Sequence, residues 1–143
     1  MISPMVVRHR PPNVPTIVMC FVYLCIVRYR TRRGDLRGAL AKCRHLADNG
    51  SSDCDTATVD RLIARSVHRV SVAGALFPGR ARCLEQSIVV CQILRSTGIS
   101  AELKIGVQPH RFRAHAWVEY NGRVINEDGG RLFGFVTFPE IPA

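Results

Sequence analysis

The segment AHAWVEYNGRVINE, Ala114–Glu127, is the part of the sequence that most clearly indicates a fold. In its first half, Ala116 and Val118 fall on one face and His115, Trp117 and Glu119 on the other. This is the two-residue period of a β-strand. Asn121 and Gly122 then form a dipeptide typical of tight hairpin turns, and RVIN supplies a return strand. The segment therefore predicts a β-hairpin that carries His115 on its first strand and Glu127 near the end of its second.

Segments with a helical pattern precede this hairpin in the sequence, and a segment with a strand pattern lies between them and the hairpin. An apolar stretch over Val14–Arg30 is followed by three segments with a helical pattern, one beginning at Gly34 and Asp35, one beginning at Val59, and Cys83–Thr97. Residues 103–107 alternate with the period of a strand. Because helices come first and an antiparallel sheet second, the predicted fold class is α+β, with N-terminal helices followed by a helix packed on a small antiparallel sheet.

The length of 143 residues matches one ordinary domain, so a second independent domain is not expected. Residues 1–15 are rich in proline and basic side chains and are predicted to be a flexible tail. Residues 16–76 are predicted to form a helical N-terminal part, and residues 77–143 a core that contains the last helix and the sheet. Pro78 and Gly79, which interrupt the helical pattern, mark the boundary between the two parts.

The net charge is +9, with 20 Lys and Arg residues against 11 Asp and Glu residues. Such a charge attracts nucleic acid, anionic lipid and acidic peptides alike. No zinc-finger or RNA-recognition motif accompanies it, so nucleic-acid binding is not predicted. Arg61, Arg65 and Arg69 fall on one face of the helix that begins at Val59. They form either a solvated face or a surface that recruits an acidic partner.

The apolar stretch over residues 17–27 is shorter than the about 20 residues that cross a bilayer. Arg28 follows it directly, and no small-x-small cleavage site is present, so the stretch is poorly suited to be an export signal. We therefore expect a cytoplasmic protein. In this interpretation residues 17–27 contact the core, a membrane surface or a partner protein.

The 6 cysteines include no Cys-x-x-Cys pair, so a structural zinc site is not expected. Without an export signal, reduced thiols are the better interpretation of these residues. Cys43 and Cys91 lie on apolar helix stripes, Cys20 and Cys25 lie in the apolar stretch, and Cys54 lies in a polar loop. None of these five is placed for chemistry by the sequence.

Cys83 differs because it stands at the predicted start of a helix. The helix dipole and the preceding Arg80 and Arg82 favour a thiolate there, which is the nucleophilic form. If His115 faces that helix end, it can pair with the thiolate and later protonate a leaving amine. The Cys83 N–H is an obvious oxyanion donor, whereas Gln86 either packs or faces substrate. On spacing alone, the alternative is that Cys83 is a small packed side chain and His115 a half-buried one.

Three motifs follow one another over Phe77–Glu127: RCLEQS, then GVQP, then AHAWVEY-NG-RVINE. In order and spacing they resemble the core of the lasso peptide biosynthesis B2 proteins, which are leader peptidases with a transglutaminase-like, papain-type cysteine protease fold. The arginine-rich helices before them and FVTFPEIP after them agree more loosely. By this resemblance Cys83 is the nucleophile and His115 the base. The third triad residue, usually Asp, is Glu127 here.

The resemblance implies a peptidase that removes the leader from a ribosomally synthesised lasso peptide precursor, cutting after a Thr near the end of the leader. It implies three partners, namely the precursor peptide, a small leader-binding B1 protein and an ATP-dependent macrolactam synthetase. It implies no metal or other cofactor, and it makes residues 77–143 the catalytic core. The alternatives are a transglutaminase-like acyltransferase and a non-catalytic module that binds an acidic peptide through its basic helix.

The identity of the third triad residue depends on the register of the hairpin. A two-residue turn at Asn121-Gly122 sets His115 opposite Asp128, whereas a three-residue turn with a bulge at Gly122 sets it opposite Glu127. The second register pairs opposite charges and apolar side chains across the strands, although each such pair contributes only about 0.2 to 1 kcal/mol. We therefore predict the three-residue turn, with Glu127 as the carboxylate that orients the histidine.

Overall fold

A computed structural model describes residues 13–45, 55–79, 83–127 and 129–137. The helices are α1 (Ile17–Arg32), α2 (Leu36–His45), α3 (Thr56–Leu76) and α4 (Cys83–Ser96). The strands are β1 (Glu102–Gln108), β2 (Arg113–Tyr120), β3 (Arg123–Val124) and β4 (Val136–Thr137), with a short 3-10 helix, Gly129–Leu132, before β4. The strands form one antiparallel sheet in the order β3-β2-β1-β4. This arrangement confirms the predicted α+β fold class.

Local features of the sequence explain where several helices begin and end. The Thr16 hydroxyl accepts a 3.3 Å hydrogen bond from the Met19 N–H at the start of α1. The Asp35 carboxylate accepts a 2.9 Å bond from the Gly38 N–H in the first turn of α2. Such caps satisfy N–H groups that have no acceptor within the helix. At the far end of α4, Gly98 has a φ of 86°, which glycine adopts without strain.

Helix α4 is the central element of the core. It packs against α1, α2 and α3 on its sides and against β1 and β2 of the sheet. Its own Ile88 and Leu94 are fully buried, as are Leu24 of α1, Val70 of α3 and Val118 of β2. Burying a side chain of this size stabilises a fold by about 1.5–3 kcal/mol. Because α4 is enclosed in this way, the position of its first residue is determined by the whole helical layer.

A buried ion pair joins the first turn of α4 to α1. Arg28 Nε lies 3.4 Å from Glu85 Oε1, and the two side chains are only 14% and 7% exposed. The Arg28 guanidinium also lies 4.5 Å from the centre of the Phe77 ring and donates to the Pro78 carbonyl. Since Glu85 lies two residues after Cys83, these contacts fix the helix end on which the cysteine stands.

Replacing Arg28 by Met should destabilise the fold by about 3 kcal/mol, because the buried Glu85 carboxylate loses the guanidinium that lies 3.4 Å from it. Urea denaturation followed by circular dichroism measures this free energy. The matched variant Arg61→Met changes an exposed arginine of α3 and should alter the free energy of unfolding by less than about 0.5 kcal/mol. Equal effects of the two variants would contradict a structural role for the ion pair.

The last two residues of the predicted tail contact the folded part of the chain. Val14 is buried at 8% exposure, and Arg69 Nη1 donates hydrogen bonds to the carbonyls of Val14 (2.8 Å) and Pro15 (3.0 Å). Apolar burial and charged hydrogen bonds therefore hold residues 14 and 15, the last two of the predicted tail, against α3. Residues 1–12 of the predicted tail lie outside the described residues.

The basic face predicted on α3 is correspondingly smaller. Arg61 and Arg65 are exposed, whereas Arg69 is half buried and engaged with the chain before α1. Of the three arginines predicted to share this face, only Arg61 and Arg65 are therefore exposed to solvent or to a partner.

Helix α1 uses only one side of the apolar stretch for the core. Cys20, Leu24 and Val27 are buried, while Val18 and Ile26 on other sides are 71% and 45% exposed. Of the contacts left open for residues 17–27, the buried side makes the one with the core. Among the described helices, none has the length and hydropathy that a bilayer crossing requires.

Candidate active site

Cys83 is the first residue of α4 and is half buried. The first N–H groups of a helix have no acceptor within it, so they can stabilise a negative charge at this end. Gln86 lies against Gly74 of α3, which places its amide in the packing between the two helices. Arg80 and Arg82, predicted to favour the thiolate, lie outside the described residues.

His115 on β2 is held by a carboxylate and by two aromatic rings. Its Nε2 lies 3.1 Å from Glu127 Oε1, and the two side chains are 23% and 22% exposed. The centre of its ring lies 6.4 Å from that of Trp117 and 5.9 Å from that of Phe135. With Nε2 engaged by the carboxylate, Nδ1 is the ring nitrogen free to exchange a proton with a reacting group.

Helix α4 meets β2 directly beside His115. The Ser87 hydroxyl donates a 3.0 Å hydrogen bond to the carbonyl of Ala116, the residue that follows the histidine. Ser87 lies four residues after Cys83, so the two share one helix face. The structure therefore brings the helix end that carries the cysteine to the strand that carries the histidine. Within the described residues no hydrogen bond joins Cys83 to His115, and such bonds often tighten only with substrate present.

The hairpin turn differs from the predicted one. Tyr120 pairs with Arg123 and Glu119 with Val124, so the turn contains two residues. Asn121 and Gly122 have φ angles of 49° and 75°, the left-handed conformation that a tight hairpin turn requires at both positions. The predicted three-residue turn is wrong because the local preference of the Asn-Gly pair outweighs the small energies of the cross-strand pairs.

Glu127 nevertheless reaches His115, because the return strand ends before it. The Ile125 N–H donates to the Val118 carbonyl at 3.0 Å, as the register requires. The Val118 N–H then donates to the Asn126 side-chain oxygen at 2.8 Å and not to a backbone carbonyl. The chain therefore leaves the ladder at Asn126, and strict alternation no longer decides which way Glu127 points. Asp128, the alternative third residue, lies outside the described residues.

Asn126 also links the sheet to α4. Its amide donates a 2.9 Å hydrogen bond to the Ser87 hydroxyl, which in turn donates to Ala116. Both neighbours of the candidate His–Glu pair, Ala116 in β2 and Asn126 before Glu127, are thus held by one short network. The sequence analysis missed this role. The available signal was a serine on the apolar stripe of α4, four residues after Cys83, because a buried hydroxyl needs a partner.

Replacing Asn126 by Ala should lower the free energy of unfolding by about 1–3 kcal/mol, because the buried Val118 N–H loses its acceptor. It should also weaken any activity that depends on Glu127. The variant Asn126→Asp keeps an acceptor for Val118 and should lose less stability. Urea denaturation measures both variants. A stability of Asn126→Ala equal to that of the unchanged protein would contradict the network.

Three of the other described cysteines are placed for packing. Cys20, Cys43 and Cys91 are buried, and burial raises the pKa of the Cys20 thiol. A hydrogen bond to the Cys91 sulfur and burial together raise the pKa of Cys43 far above its usual value. Cys25 is exposed on α1. The predicted packing of Cys43 and Cys91 on apolar stripes is therefore confirmed, whereas Cys54 lies outside the described residues.

The described side chains form no cluster of His, Cys, Asp or Glu residues that could hold a metal ion. A cleft of about 570 Å³ opens beside the His115–Glu127 pair and is lined also by Arg113, Arg131 and Phe135. The chemistry available at this place is that of a thiol, an imidazole and a carboxylate, with arginines beside them. Neither arginine was singled out by the sequence analysis.

A helix that begins at a cysteine and packs on an antiparallel sheet, with a histidine on that sheet and a carboxylate just after its hairpin, is the arrangement of the transglutaminase-like class of folds. A family profile described as transglutaminase-like superfamily matches residues 19–137. Since this match covers most of the sequence, the chain belongs to the transglutaminase-like superfamily.

The chain is also similar to the microcin J25-processing protein McjB of Escherichia coli. The two are 37% identical over 68 residues, which is 48% of this chain and 33% of that protein. The chain thus spans about a third of the length of the curated relative that it matches. This similarity supports the resemblance to the lasso peptide B2 proteins. No solved structure matches the chain.

Proposed function

We propose that this chain is a cysteine peptidase that removes the leader peptide from a lasso peptide precursor. The observation that carries the proposal is the 3.1 Å pair between His115 Nε2 and Glu127, beside the helix that begins at Cys83. Membership of the transglutaminase-like superfamily supports a cysteine-based enzyme. The similarity to a microcin-processing protein supports the substrate class.

The reaction proceeds through a thioester. The Cys83 sulfur attacks the scissile carbonyl carbon, while its proton passes to His115 Nδ1. The tetrahedral intermediate collapses, the carbon–nitrogen bond breaks, and His115 returns the proton to the leaving amine. His115 then takes a proton from water, and the resulting hydroxide attacks the thioester carbon. Collapse releases the leader with a free carboxylate and returns the proton to the sulfur.

Two groups stabilise charge during these steps. The Cys83 N–H at the helix start donates to the oxyanion of each tetrahedral intermediate. Glu127 holds His115 Nε2, so that the imidazole keeps one tautomer and one orientation and its protonated form is stabilised. The Trp117 and Phe135 rings restrict the imidazole from the sides.

The proposed partners follow from the same function. They are the precursor peptide, a leader-binding B1 protein that presents it, and a macrolactam synthetase that closes the ring of the released core peptide. We place the reaction in the cytoplasm, where the precursor is synthesised. Residues 77–143 form the catalytic core in this proposal, and residues 16–76 support α4.

The test is incubation with a precursor peptide, with and without a leader-binding protein, followed by mass analysis of the products. Hydrolysis predicts two fragments whose masses sum to the precursor plus one water. Intact precursor in both conditions would contradict the proposal.

The transglutaminase-like fold favours one second candidate, an acyltransferase. This enzyme would form the same thioester but pass the acyl group to an amine. Adding a primary amine to the incubation separates the two candidates, because acyl transfer produces a leader fragment heavier by the amine minus one water. A leader fragment with a free carboxylate at every amine concentration would exclude this candidate.

A further inference from the structure

The end of the sheet beside His115 exposes aromatic and basic side chains together. Arg111, Phe112 and Arg113 belong to the turn between β1 and β2 and to the first residue of β2, and Arg131 and Phe133 precede β4. We call these five residues the aromatic–basic rim. All five are exposed, and the two phenylalanines are 97% and 88% exposed.

Phe112 combines this exposure with an unfavourable backbone. Its φ of 49° is left-handed, a conformation rare for a bulky residue and costing about 1–3 kcal/mol. A folded protein gains nothing in stability by presenting an aromatic ring to water on such a backbone. Strained residues of this kind are concentrated at functional sites.

The two parts of the rim meet at one place. Gln108 pairs with Arg113 across the β1–β2 hairpin, and its amide lies 3.2 Å from where a Cβ on Gly134 would stand. The segment around Phe133 therefore lies next to the hairpin end that carries Phe112. From both segments an arginine lines the cleft that also contains His115 and Glu127.

The charge of the rim is not balanced by the part of the chain that the structure describes. Arg111, Arg113 and Arg131 form no ion pair with a described carboxylate. Glu127, the carboxylate that lines the cleft, is paired with His115. The cleft thus presents cations and exposed rings next to the candidate reacting atoms, which suits an acidic and apolar ligand.

We propose that the aromatic–basic rim docks the stretch of the precursor peptide that flanks the scissile bond, and that it selects an acidic side chain together with a large apolar one. The inference rests on the proposed peptidase function and adds to it the chemistry of the substrate. A peptide is favoured over nucleic acid because the rim borders the cleft in which an acyl group would be attacked. The arginines bind the carboxylate, and the phenylalanines cover the apolar side chain.

Binding can be measured apart from catalysis in the Cys83→Ala background. The probe is a fluorescein-labelled synthetic precursor-type peptide with Glu and Phe next to its cleavage position. The double variant Arg113→Glu/Arg131→Glu should weaken its Kd about tenfold or more, and a peptide with Lys in place of Glu should recover most of that loss. The matched control Arg61→Glu/Arg65→Glu makes the same charge change on exposed residues of α3 and should alter the Kd less than about threefold.

The apolar part has its own variant. Phe112→Ser/Phe133→Ser should weaken binding of the same peptide about tenfold, whereas Leu76→Ser, which changes a side chain 69% exposed on α3, should not. With active protein, both rim variants should raise KM and leave kcat within about threefold. Circular dichroism verifies that both double variants are folded like the unchanged protein. If a double variant is not folded, its two single variants are measured instead.

Two results would overturn the inference. The first is that the rim variants bind the peptide with the same Kd as the control variants, while the unchanged protein still cleaves it. In that case the peptidase proposal stands and the docking inference fails. The second is that a labelled single-stranded RNA of the same length binds the unchanged protein more tightly than the acidic peptide does, and that the rim variants no longer bind this RNA. If the unchanged protein cleaves nothing, yet the acidic peptide binds through the rim, the peptidase proposal fails and the docking surface remains.

Discussion

Replacing Cys83 by Ala should reduce leader removal by about a thousandfold or more, because no thioester can form without the sulfur. The first residue of α4 is half buried, and its small side chain contributes little to the core, so the fold should persist. The rate is measured by mass analysis of precursor cleavage under conditions where the unchanged protein completes the reaction. Circular dichroism verifies that the variant is folded.

The matched control is Cys25→Ala, which removes an exposed thiol from α1 and should leave the rate within about twofold. Unchanged cleavage by Cys83→Ala would exclude the thioester mechanism. If Cys25→Ala were the inactive variant, the site would lie on α1 and not at the start of α4.

Replacing Glu127 by Ala should lower kcat/KM by about 10²–10³, because the imidazole of His115 loses the acceptor that fixes its tautomer and stabilises its protonated form. This decrease in kcat/KM should be smaller than that caused by Cys83→Ala, because the Cys83 thiol and the His115 imidazole are both still present. Glu127→Gln keeps an acceptor without the charge, so it should fall between the Ala variant and the unchanged protein.

Asp128→Ala is the comparison that decides the third residue. We expect it to change kcat/KM by less than about threefold. If Asp128→Ala were the inactive variant and Glu127→Ala the active one, the carboxylate behind His115 would be Asp128, and the 3.1 Å contact to Glu127 would have no catalytic role.

The elements that bear the site follow from local sequence patterns. The 3.6-residue period ending at Gly98 predicted a helix from Cys83, and α4 begins at that residue. Alternation and the Asn-Gly pair predicted the hairpin, and β2 with β3 forms it. These features are local, because helix ends and tight turns depend on a few neighbouring residues.

The register illustrates the limit of such reasoning. Side-chain pairing favoured a three-residue turn, yet the structure has two residues in the turn and still brings Glu127 to His115. Pattern matching assumed that the return strand continues to residue 127. It ends after Val124, because the Asn126 side chain takes the place of a backbone acceptor for the Val118 N–H. The same side chain donates to Ser87, a residue of α4 that is far away in the sequence.

The sequence by itself determined the α+β order of elements, the start of a helix at Cys83 and the hairpin that carries His115, because periodicity and turn chemistry act over short stretches. Only the tertiary structure decided which carboxylate meets the histidine, which arginines stay free and which aromatic rings remain exposed. Those outcomes depend on packing between segments far apart in the chain, as in the Asn126–Ser87 contact and the bonds from Arg69 to Val14 and Pro15. No local pattern records such contacts.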